Sequence, residues 1–185
     1  MNILTYNNNK PFKLLSSKTV LSISPYSIRK DQLLNNINGN KIDYYVLKRK
    51  KAIFIIPFED NCVYLISQYR YPINRTLLEV PAGGQNKEEN STECAIRELR
   101  EETGFVTNNV KKIGKFFMSP GYSSQEAEVY LATNLRKSKT DFDKSEIIKN
   151  TIKIPVQTIS EYIKNGKIKS SPSITSIYIF LKFIS

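Results

Sequence analysis

The residues between positions 83 and 105 combine side chains suited to metal and phosphate chemistry with a fixed spacing. They are Gly83, Glu89, Arg97, Glu98, Leu99, Glu101, Glu102, Gly104 and Phe105. Residues 91–103 are predicted to form one helix, because Asn90 or Ser91 can cap its start and Gly104 suits a left-handed residue after its end. One helix would therefore carry most of these side chains in a defined order.

Three glutamates are predicted to share one face of this helix. Glu98 and Glu102 are four residues apart, and Glu101 is three residues from Glu98, so their carboxylates are neighbours. Like charges at this spacing destabilise a helix by roughly 0.2–0.5 kcal/mol per pair. A hard divalent cation, Mg²⁺ above all, binds oxygen ligands and would remove that repulsion. Arg97 can pair with Glu101 and fix its rotamer. The alternative interpretation is a solvated acidic helix with surface ion pairs.

The spacing Gly-x5-Glu-x7-Arg-Glu-Leu-x-Glu-Glu-x-Gly-Phe resembles the complete Nudix box. Nudix hydrolases cleave nucleoside diphosphates that are linked to another group. The resemblance implies such a hydrolase and its fold, an α/β/α sandwich with a mixed sheet.

Length and composition limit the number of domains, the kinds of catalytic site and the location that can be expected for this chain. The 185 residues suit one domain, or a domain with a small added subdomain. The chain has no histidine, which excludes histidine-ligated zinc and histidine-based catalytic triads. Cys62 and Cys94 are expected to be reduced thiols. No apolar stretch approaches the roughly 20 residues of a membrane helix, and no secretory signal is visible, so we expect a cytoplasmic protein.

The charge is distributed unevenly along the chain. The formal net charge is +11, yet acidic side chains outnumber basic ones between residues 52 and 132, and both flanking segments are basic. The functional interpretation is attraction of a polyanionic substrate or a nucleic acid. The alternative is surface lysine dispersed through a chain rich in Lys, Asn and Ile.

Hydrophobic patterns predict strands and helices in an order typical of the α/β class. The predicted strands are residues 19–24, 26–31, 42–48, 52–57, 62–68, 77–80, 110–118, 126–133 and 147–154, and the predicted helices are 91–103, 158–165 and 171–183. Residues 81–84 are predicted to be a loop. We expect residues 1–50 to form a β-rich subdomain and residues 51–185 to form the Nudix domain.

Segments outside the box resemble the ADP-ribose pyrophosphatase subfamily. They are Gln68–Pro72, Leu78–Gly83, Ser119–Ser123 and the C-terminal layout from Glu146 through Pro155 to the last helix. This resemblance covers roughly residues 14–183. The chain departs from the pattern after Ser123, where relatives often carry an acidic residue and this chain has Gln125. The nearest carboxylate there is Glu126.

The resemblance implies a role for individual residues. The implied metal ligands are the carboxylates of Glu98, Glu101 and Glu102 and the carbonyl of Ala82. The implied catalytic carboxylates are Glu101, Glu102 and Glu146, the last of which positions or deprotonates water. The implied substrate contacts are Arg70 and Arg49 on the diphosphate, Tyr44 stacked on adenine, and Pro120 and Gly121 in the substrate loop. Plainer alternatives are a surface cation for Arg70, a strand pair of Tyr44 with Tyr45, and a solvated loop charge for Glu146.

The function that the resemblance implies is hydrolysis of ADP-ribose, or of a related nucleoside diphosphate sugar, to AMP and ribose 5-phosphate with Mg²⁺ or Mn²⁺. The alternatives are another Nudix substrate, such as GDP-mannose, a dinucleotide or capped RNA, and a non-catalytic RNA-binding module. A homodimer is also expected, in which residues 14–50 pair with the partner, because a short three-stranded unit is marginal alone and carries tyrosines suited to interfaces.

Overall fold

The computed structural model describes residues 10–138 and 148–185, so the predicted catalytic residue Glu146 lies outside the described residues. The strands are β1 (Phe12–Ile23), β2 (Tyr26–Asn35), β3 (Lys41–Lys48), β4 (Ala52–Glu59), β5 (Cys62–Arg70), β6 (Arg75–Glu79), β7 (Ala82–Gly84), β8 (Phe105–Val106), β9 (Asn109–Phe117), β10 (Glu126–Thr133), β11 (Arg136–Lys137) and β12 (Ile148–Pro155). The helices are α1 (Ser91–Thr103), α2 (Val156–Lys164) and α3 (Ser171–Ile184), and a short 3-10 turn covers Tyr71–Ile73.

The described residues form two compact units. The N-terminal unit consists of the described residues up to Arg49 together with Ser119–Gln125. The sandwich unit consists of Lys50–Met118 and the described residues from Glu126 onward. The segment 119–125 therefore packs with the N-terminal strands, and Leu47 of β3 contacts it directly.

An antiparallel sheet in the order β1-β2-β3 builds the N-terminal unit. The turn between β2 and β3 contains Gly39 in the left-handed region, with φ 74°, as the Asn-Gly pair predicts. Leu47 on β3 fixes the segment 119–125. Its N–H donates to the Tyr122 carbonyl at 2.8 Å, and its own carbonyl accepts from Ser123 Oγ at 2.9 Å.

A seven-stranded mixed sheet forms the centre of the sandwich unit. Its strand order is β12-β5-β4-β10-β9, with β6 added beside β5 and β7 beside β4. β4 and β10 run parallel, whereas the other pairs are antiparallel. The predicted α/β fold with a mixed sheet and an N-terminal β-rich part is confirmed.

Alternation along β4 assigns its side chains to two separate cores, because successive side chains of a strand point to opposite faces. Ile53 and Ile55 are fully buried and pack with the apolar side of α1. Phe54 and Ile56 pack instead with residues of α2 and α3. The sheet thus lies between α1 on one face and α2 with α3 on the other. None of the helices within residues 10–138 and 148–185 has the length and apolar character needed to cross a bilayer.

Both ends of α1 are fixed by local hydrogen bonds. The Asn90 side chain accepts from the N–H groups of Thr92 and Glu93, and Glu93 bonds back to the Asn90 N–H, which makes a capping box. Gly104 ends the helix with φ 72°, where a residue with a Cβ would be strained. The predicted helix 91–103 is confirmed at both ends. The helix ends also determine on which turn of α1 the carboxylates of Glu98, Glu101 and Glu102 lie.

Several predicted boundaries were wrong; β2, for example, continues to Asn35 instead of ending at residue 31. β1 begins at Phe12 rather than residue 19, since it pairs with β2 along the whole length of that strand. Residues 82–84, predicted to be a loop, form β7 and pair with Ala52, Ile53 and Phe54 of β4. Glycine carries a low intrinsic β-propensity, and the available edge of β4 outweighs it here.

Glu128 on β10 is a buried carboxylate with several donors around it. Lys112 Nζ lies 2.6 Å and Lys51 Nζ 3.1 Å from Glu128 Oε1, and the Tyr130 hydroxyl donates to Oε2 at 3.0 Å. Burial by itself disfavours the charged form, but the hydrogen bonds from Lys112 and Lys51 outweigh it and hold the pKa of Glu128 at about 2. This carboxylate therefore links β10 to β9 and to the start of β4.

We expect Glu128→Gln to lower the free energy of unfolding at neutral pH and to reduce its fall in acid. The folded pKa of about 2 lies below the ordinary 4.5, so the stabilisation is complete above 4.5 and is lost as the pH falls toward 2. Urea unfolding across this range, with the exposed Glu161→Gln as the control, measures the effect. An acid slope that Glu128→Gln leaves unchanged would contradict it.

Candidate active site

The carboxylates of α1 occupy the side of the helix next to the sheet. Glu98 retains 8% and Glu102 2% of its accessible surface, and Glu101 is half-buried. All three side chains lie on α1, as the sequence predicted. Ionised carboxylates are seldom buried without compensating donors or cations. Their burial therefore requires such partners nearby.

Arg97 supplies most of this compensation. Its Nε and Nη2 bond the two oxygens of Glu89 at 2.9 and 2.7 Å, a fork that matches the carboxylate. Its Nη1 lies 2.8 Å from one oxygen of Glu98 and 2.8 Å from one oxygen of Glu101. The predicted Arg97–Glu101 pair is present, and the same guanidinium also binds Glu89 in the loop before α1.

The pKa values follow from this pairing. The hydrogen bond with Arg97 holds the pKa of Glu89 at about 2, and the same bond raises the pKa of Arg97. The N–H of Asn86 also donates to Glu89, at 2.7 Å. Burial raises the pKa of the Cys94 thiol to about 12, so this cysteine stays protonated at neutral pH and is a poor nucleophile.

Strand β7 brings its backbone against these carboxylates. The Ala82 N–H donates to Glu102 Oε2 at 2.8 Å. A Cβ added to Gly83 would lie only 1.8 Å from Glu98 Oε1, so position 83 must lack a side chain for Glu98 to keep its place. The glycine is required here by close approach and not by an unusual backbone angle. This contact explains the spacing between Gly83 and the helix.

The donor set is of the kind that Mg²⁺ and Mn²⁺ bind, because it consists of carboxylates with a backbone carbonyl nearby. In the present arrangement, no three His, Cys, Asp or Glu side chains within residues 10–138 and 148–185 are gathered tightly enough to enclose a metal ion. The physical reason is that Glu98 and Glu101 are turned toward Arg97 and Glu102 toward the Ala82 N–H. The four predicted ligands fit a divalent cation by chemistry, and their role stays a prediction.

Arg70 lies at the end of β5 on the sandwich unit and pairs with Glu79, a carboxylate for which no role was predicted. Its Nε and Nη2 both lie 2.7 Å from Glu79 Oε2. Glu79 is buried, whereas 41% of the surface of the Arg70 side chain is accessible to solvent. The guanidinium is thus held from the protein side and open to solvent on its other side.

The other predicted substrate contacts lie in the N-terminal unit. The Tyr44 hydroxyl donates to the Gly121 carbonyl at 2.5 Å, which joins β3 to the predicted substrate loop. The Arg49 guanidinium lies 4.8 Å from the centre of the Tyr26 ring. Pro120 and Gly121 are exposed. The structure therefore brings Tyr44 and Gly121 together, while Arg70 and the α1 carboxylates belong to the other unit.

Two carboxylates were missed as members of the site. Glu89 was part of the quoted spacing pattern, but its ion pair with Arg97 was not predicted. The two residues are eight positions apart and Glu89 precedes the helix, so no helical repeat indicates the pair. Glu79 lies in the Leu78–Gly83 segment that carries the family resemblance, but no role was predicted for it. At the position where relatives often carry an acid, Gln125 is buried and its N–H donates to Ser123 Oγ at 3.1 Å. Glu126 lies 3.5 Å from the ammonium of Lys115.

We expect Gly83→Ala to weaken cation binding without a comparable loss of stability, because the new Cβ displaces only the flexible end of Glu98. The measurement is the rise in melting temperature on adding saturating MgCl2, which reports binding to the folded state. Gly84→Ala is the matched control, since its Cβ would meet Lys50 at an ordinary 3.7 Å. Equal rises for the two variants would show that position 83 does not shape a cation site.

Comparisons with known proteins agree with this geometry. A model of the NUDIX domain matches residues 48–165. Over 114 residues the chain is 32% identical to an ADP-ribose pyrophosphatase of Bacillus subtilis, an alignment that covers 60% of this chain and 62% of that protein. Over 172 residues it is 27% identical to a methanol dehydrogenase activator of Bacillus methanolicus, covering 89% and 92%. The matched part thus spans less than two thirds of the Bacillus subtilis protein.

A solved structure shares the fold. A crystal structure of an ADP compounds hydrolase superimposes on the chain with a TM-score of 0.85, at 21% identity, and the match covers 96% of each chain. This likeness confirms the predicted sandwich. Because the domain match includes the whole glutamate-bearing helix and most of the central sheet, this chain belongs to the Nudix family.

Proposed function

We propose that this chain hydrolyses the diphosphate bond of ADP-ribose, or of a related nucleoside diphosphate sugar, to AMP and ribose 5-phosphate in a reaction that depends on Mg²⁺. The observation that carries the proposal is the Arg97-centred set of glutamates on α1, seated against Gly83 within the matched Nudix domain. The names of relatives support the substrate class. Besides the Bacillus subtilis protein, they include an ADP-ribose pyrophosphatase of Mycobacterium tuberculosis at 32% identity.

The cation would be held by the carboxylates of Glu98, Glu101 and Glu102 and by the carbonyl of Ala82. When bound, Mg²⁺ or the substitute Mn²⁺ supplies positive charge to the diphosphate and lowers the pKa of water. Arg97 holds the carboxylates of Glu98 and Glu101 in place, and its fork to Glu89 ties α1 to the preceding loop. The site thereby has its rotamers fixed before the substrate arrives.

The proposed chemistry is attack of water on one phosphorus atom of the diphosphate. The oxygen of water forms the new P–O bond, the bond from that phosphorus to the bridging oxygen breaks, and the bridging oxygen leaves with the other phosphate. A carboxylate accepts the proton that water releases. Glu146 is our proposed base, with Glu101 and Glu102 as the other catalytic carboxylates. Glu126, which lies 3.5 Å from the ammonium of Lys115, is the second candidate base.

Substrate recognition is proposed for the residues that the family resemblance singles out. Arg70, with its exposed guanidinium edge, would bind the diphosphate, as would Arg49. Tyr44 would stack on adenine, because its hydroxyl is fixed by Gly121 while 39% of the residue stays exposed. Pro120 and Gly121 would line the substrate loop. Gln125 in place of an acid would change the contact to the sugar, which is why related nucleoside diphosphate sugars belong in the assay.

A homodimer is proposed on the basis of the N-terminal unit. All twelve residues of β1 are exposed, and among them Leu14, Leu21 and Ile23 expose 56%, 44% and 62% of their surface. An exposed edge strand that carries several large apolar side chains is typical of an interface. A two-fold dimer would cover it on both copies. We also propose a cytoplasmic location, and a domain division in which residues 1–50 serve dimerisation and residues 51–185 catalysis.

Wild-type protein with Mg²⁺ is expected to convert ADP-ribose to AMP and ribose 5-phosphate, measured by chromatography of the products. The panel should include GDP-mannose, a dinucleotide and capped RNA, each with Mg²⁺ and with Mn²⁺. Glu98→Gln and Glu102→Gln keep the side-chain shape but remove charge, so kcat should fall by roughly a hundredfold or more. Exposed Glu161→Gln is the control. Variants that retain more than about a tenth of wild-type kcat would contradict the assignment.

The dimer makes a separate prediction. Light scattering at micromolar concentration should give twice the chain mass of 21.3 kDa. Leu14→Asp should shift the protein to the monomer, because it places a charge on the exposed apolar strand. Ile184→Asp, at the end of α3 and 41% exposed, is the control. A wild-type mass near 21.3 kDa refutes the dimer.

A further inference from the structure

We propose that Glu79 is a positioning residue that orients Arg70 toward the diphosphate of the substrate. The inference rests on the proposed function, because it assigns Arg70 to the substrate diphosphate. It adds a residue to the site that does not touch the substrate and acts through the guanidinium of Arg70.

The contact between the two side chains leaves Arg70 able to bind a second anion. Glu79 Oε2 takes the Nε and Nη2 donors at 2.7 Å each. A guanidinium has five N–H donors, so three remain after these two bonds. The Glu79 side chain is only 6% exposed and cannot follow a mobile partner, whereas the Arg70 side chain is 41% exposed. The arginine is therefore ordered on one edge and available on the other.

The strand register explains why Arg70 needs this partner. Arg70 lies directly opposite Arg75, and Glu79 lies opposite Ile66 on β5. Like charges in opposite positions repel each other, so the guanidinium is driven away from Arg75. Glu79 attracts the guanidinium in the opposite direction, back along β5. Because Glu79 lies beside Ile66, the two partners are offset along the strand by the distance between residues 66 and 70, roughly 13 Å between Cα atoms. Without Glu79, repulsion from Arg75 would favour other rotamers that point into solvent.

The sheet face that carries this pair is the face on which α1 lies. Val63 and Leu65 of β5 pack with α2 and α3, so the alternate residues of the strand point to the opposite side. Arg70 is one of them, and Gln68 is another. Gln68 is only 2% exposed, and its Oε1 has no hydrogen-bond partner in the part of the chain that the structure describes. The pair of Arg70 and Glu79 therefore lies on the same face of the sheet as α1.

The competing interpretation is an ion pair that stabilises the sheet and does nothing for the substrate. A double-mutant cycle separates the two interpretations, because a residue that acts through Arg70 loses its effect when Arg70 is absent. The variants are Glu79→Gln, Arg70→Ala and the double variant. Glu128→Gln is the matched control, since Glu128 is a carboxylate of the same 5% exposure, paired with lysines on the same sheet.

We expect Glu79→Gln to lower kcat/KM for ADP-ribose by roughly tenfold or more in the presence of Arg70, as a displaced contact group does. In the Arg70→Ala background the same change should alter kcat/KM less than twofold. Glu128→Gln should lower the melting temperature but keep kcat/KM within twofold of wild type. Equal factors in the two Arg70 backgrounds, or a Glu79→Gln enzyme within twofold of wild type, would overturn the proposal.

Binding of ADP distinguishes failure of this inference from failure of the proposed function. ADP contains the diphosphate but no sugar linked to it, and its dissociation constant can be measured by calorimetry without turnover. If no nucleoside diphosphate sugar is hydrolysed, the same four proteins are compared by their ADP dissociation constants. A Glu79→Gln effect that disappears with Arg70 supports the proposal on its own. An additive effect, or no ADP binding by the wild type, overturns it.

Discussion

Arg97 neutralises a set of carboxylates that would otherwise repel each other on one turn of α1. Its fork holds Glu89 at 2.7 and 2.9 Å, and its third nitrogen contacts Glu98 and Glu101 at 2.8 Å. Removing the Arg97 guanidinium would take the ion-pair partner from buried carboxylates, which is more costly than losing a surface ion pair. Glu98 and Glu101, two of the residues proposed to bind the metal ion, are therefore held in place by Arg97.

The sheet determines where the arrangement lies. Asn90 and Gly104 fix the two ends of α1, and buried Leu99 anchors the helix on the face formed by Ile53 and Ile55. β7 pairs with the edge of β4, and this pairing places the Gly83 backbone next to the Glu98 carboxylate. Each element therefore restrains the next, so a change in sheet pairing would move the site as a whole.

Much of this could be predicted from the sequence, because local patterns encode it. The candidate caps Asn90 and Ser91 and the terminal Gly104 predicted α1, and the spacing of three and four residues predicted that Glu98, Glu101 and Glu102 lie near one another on the helix. Contacts between distant segments gave no such signal. The pairs Arg97–Glu89 and Arg70–Glu79 depend on how loops and strands meet, and β7 forms despite its glycines since the edge of β4 is available. The family resemblance supplied the roles of Tyr44, Arg49 and Glu146, which no described contact tests.

The most direct test of the central claim is titration with Mn²⁺ followed by electron paramagnetic resonance, in wild type and in Glu98→Gln. The account predicts that the wild type binds Mn²⁺ and depletes the signal of the free ion. It predicts that Glu98→Gln binds at least ten times more weakly, because the charge of one ligand is gone. Equal affinity in the two proteins, or a wild type that leaves the free signal unchanged, would contradict the claim that the glutamates organised by Arg97 form the cation site.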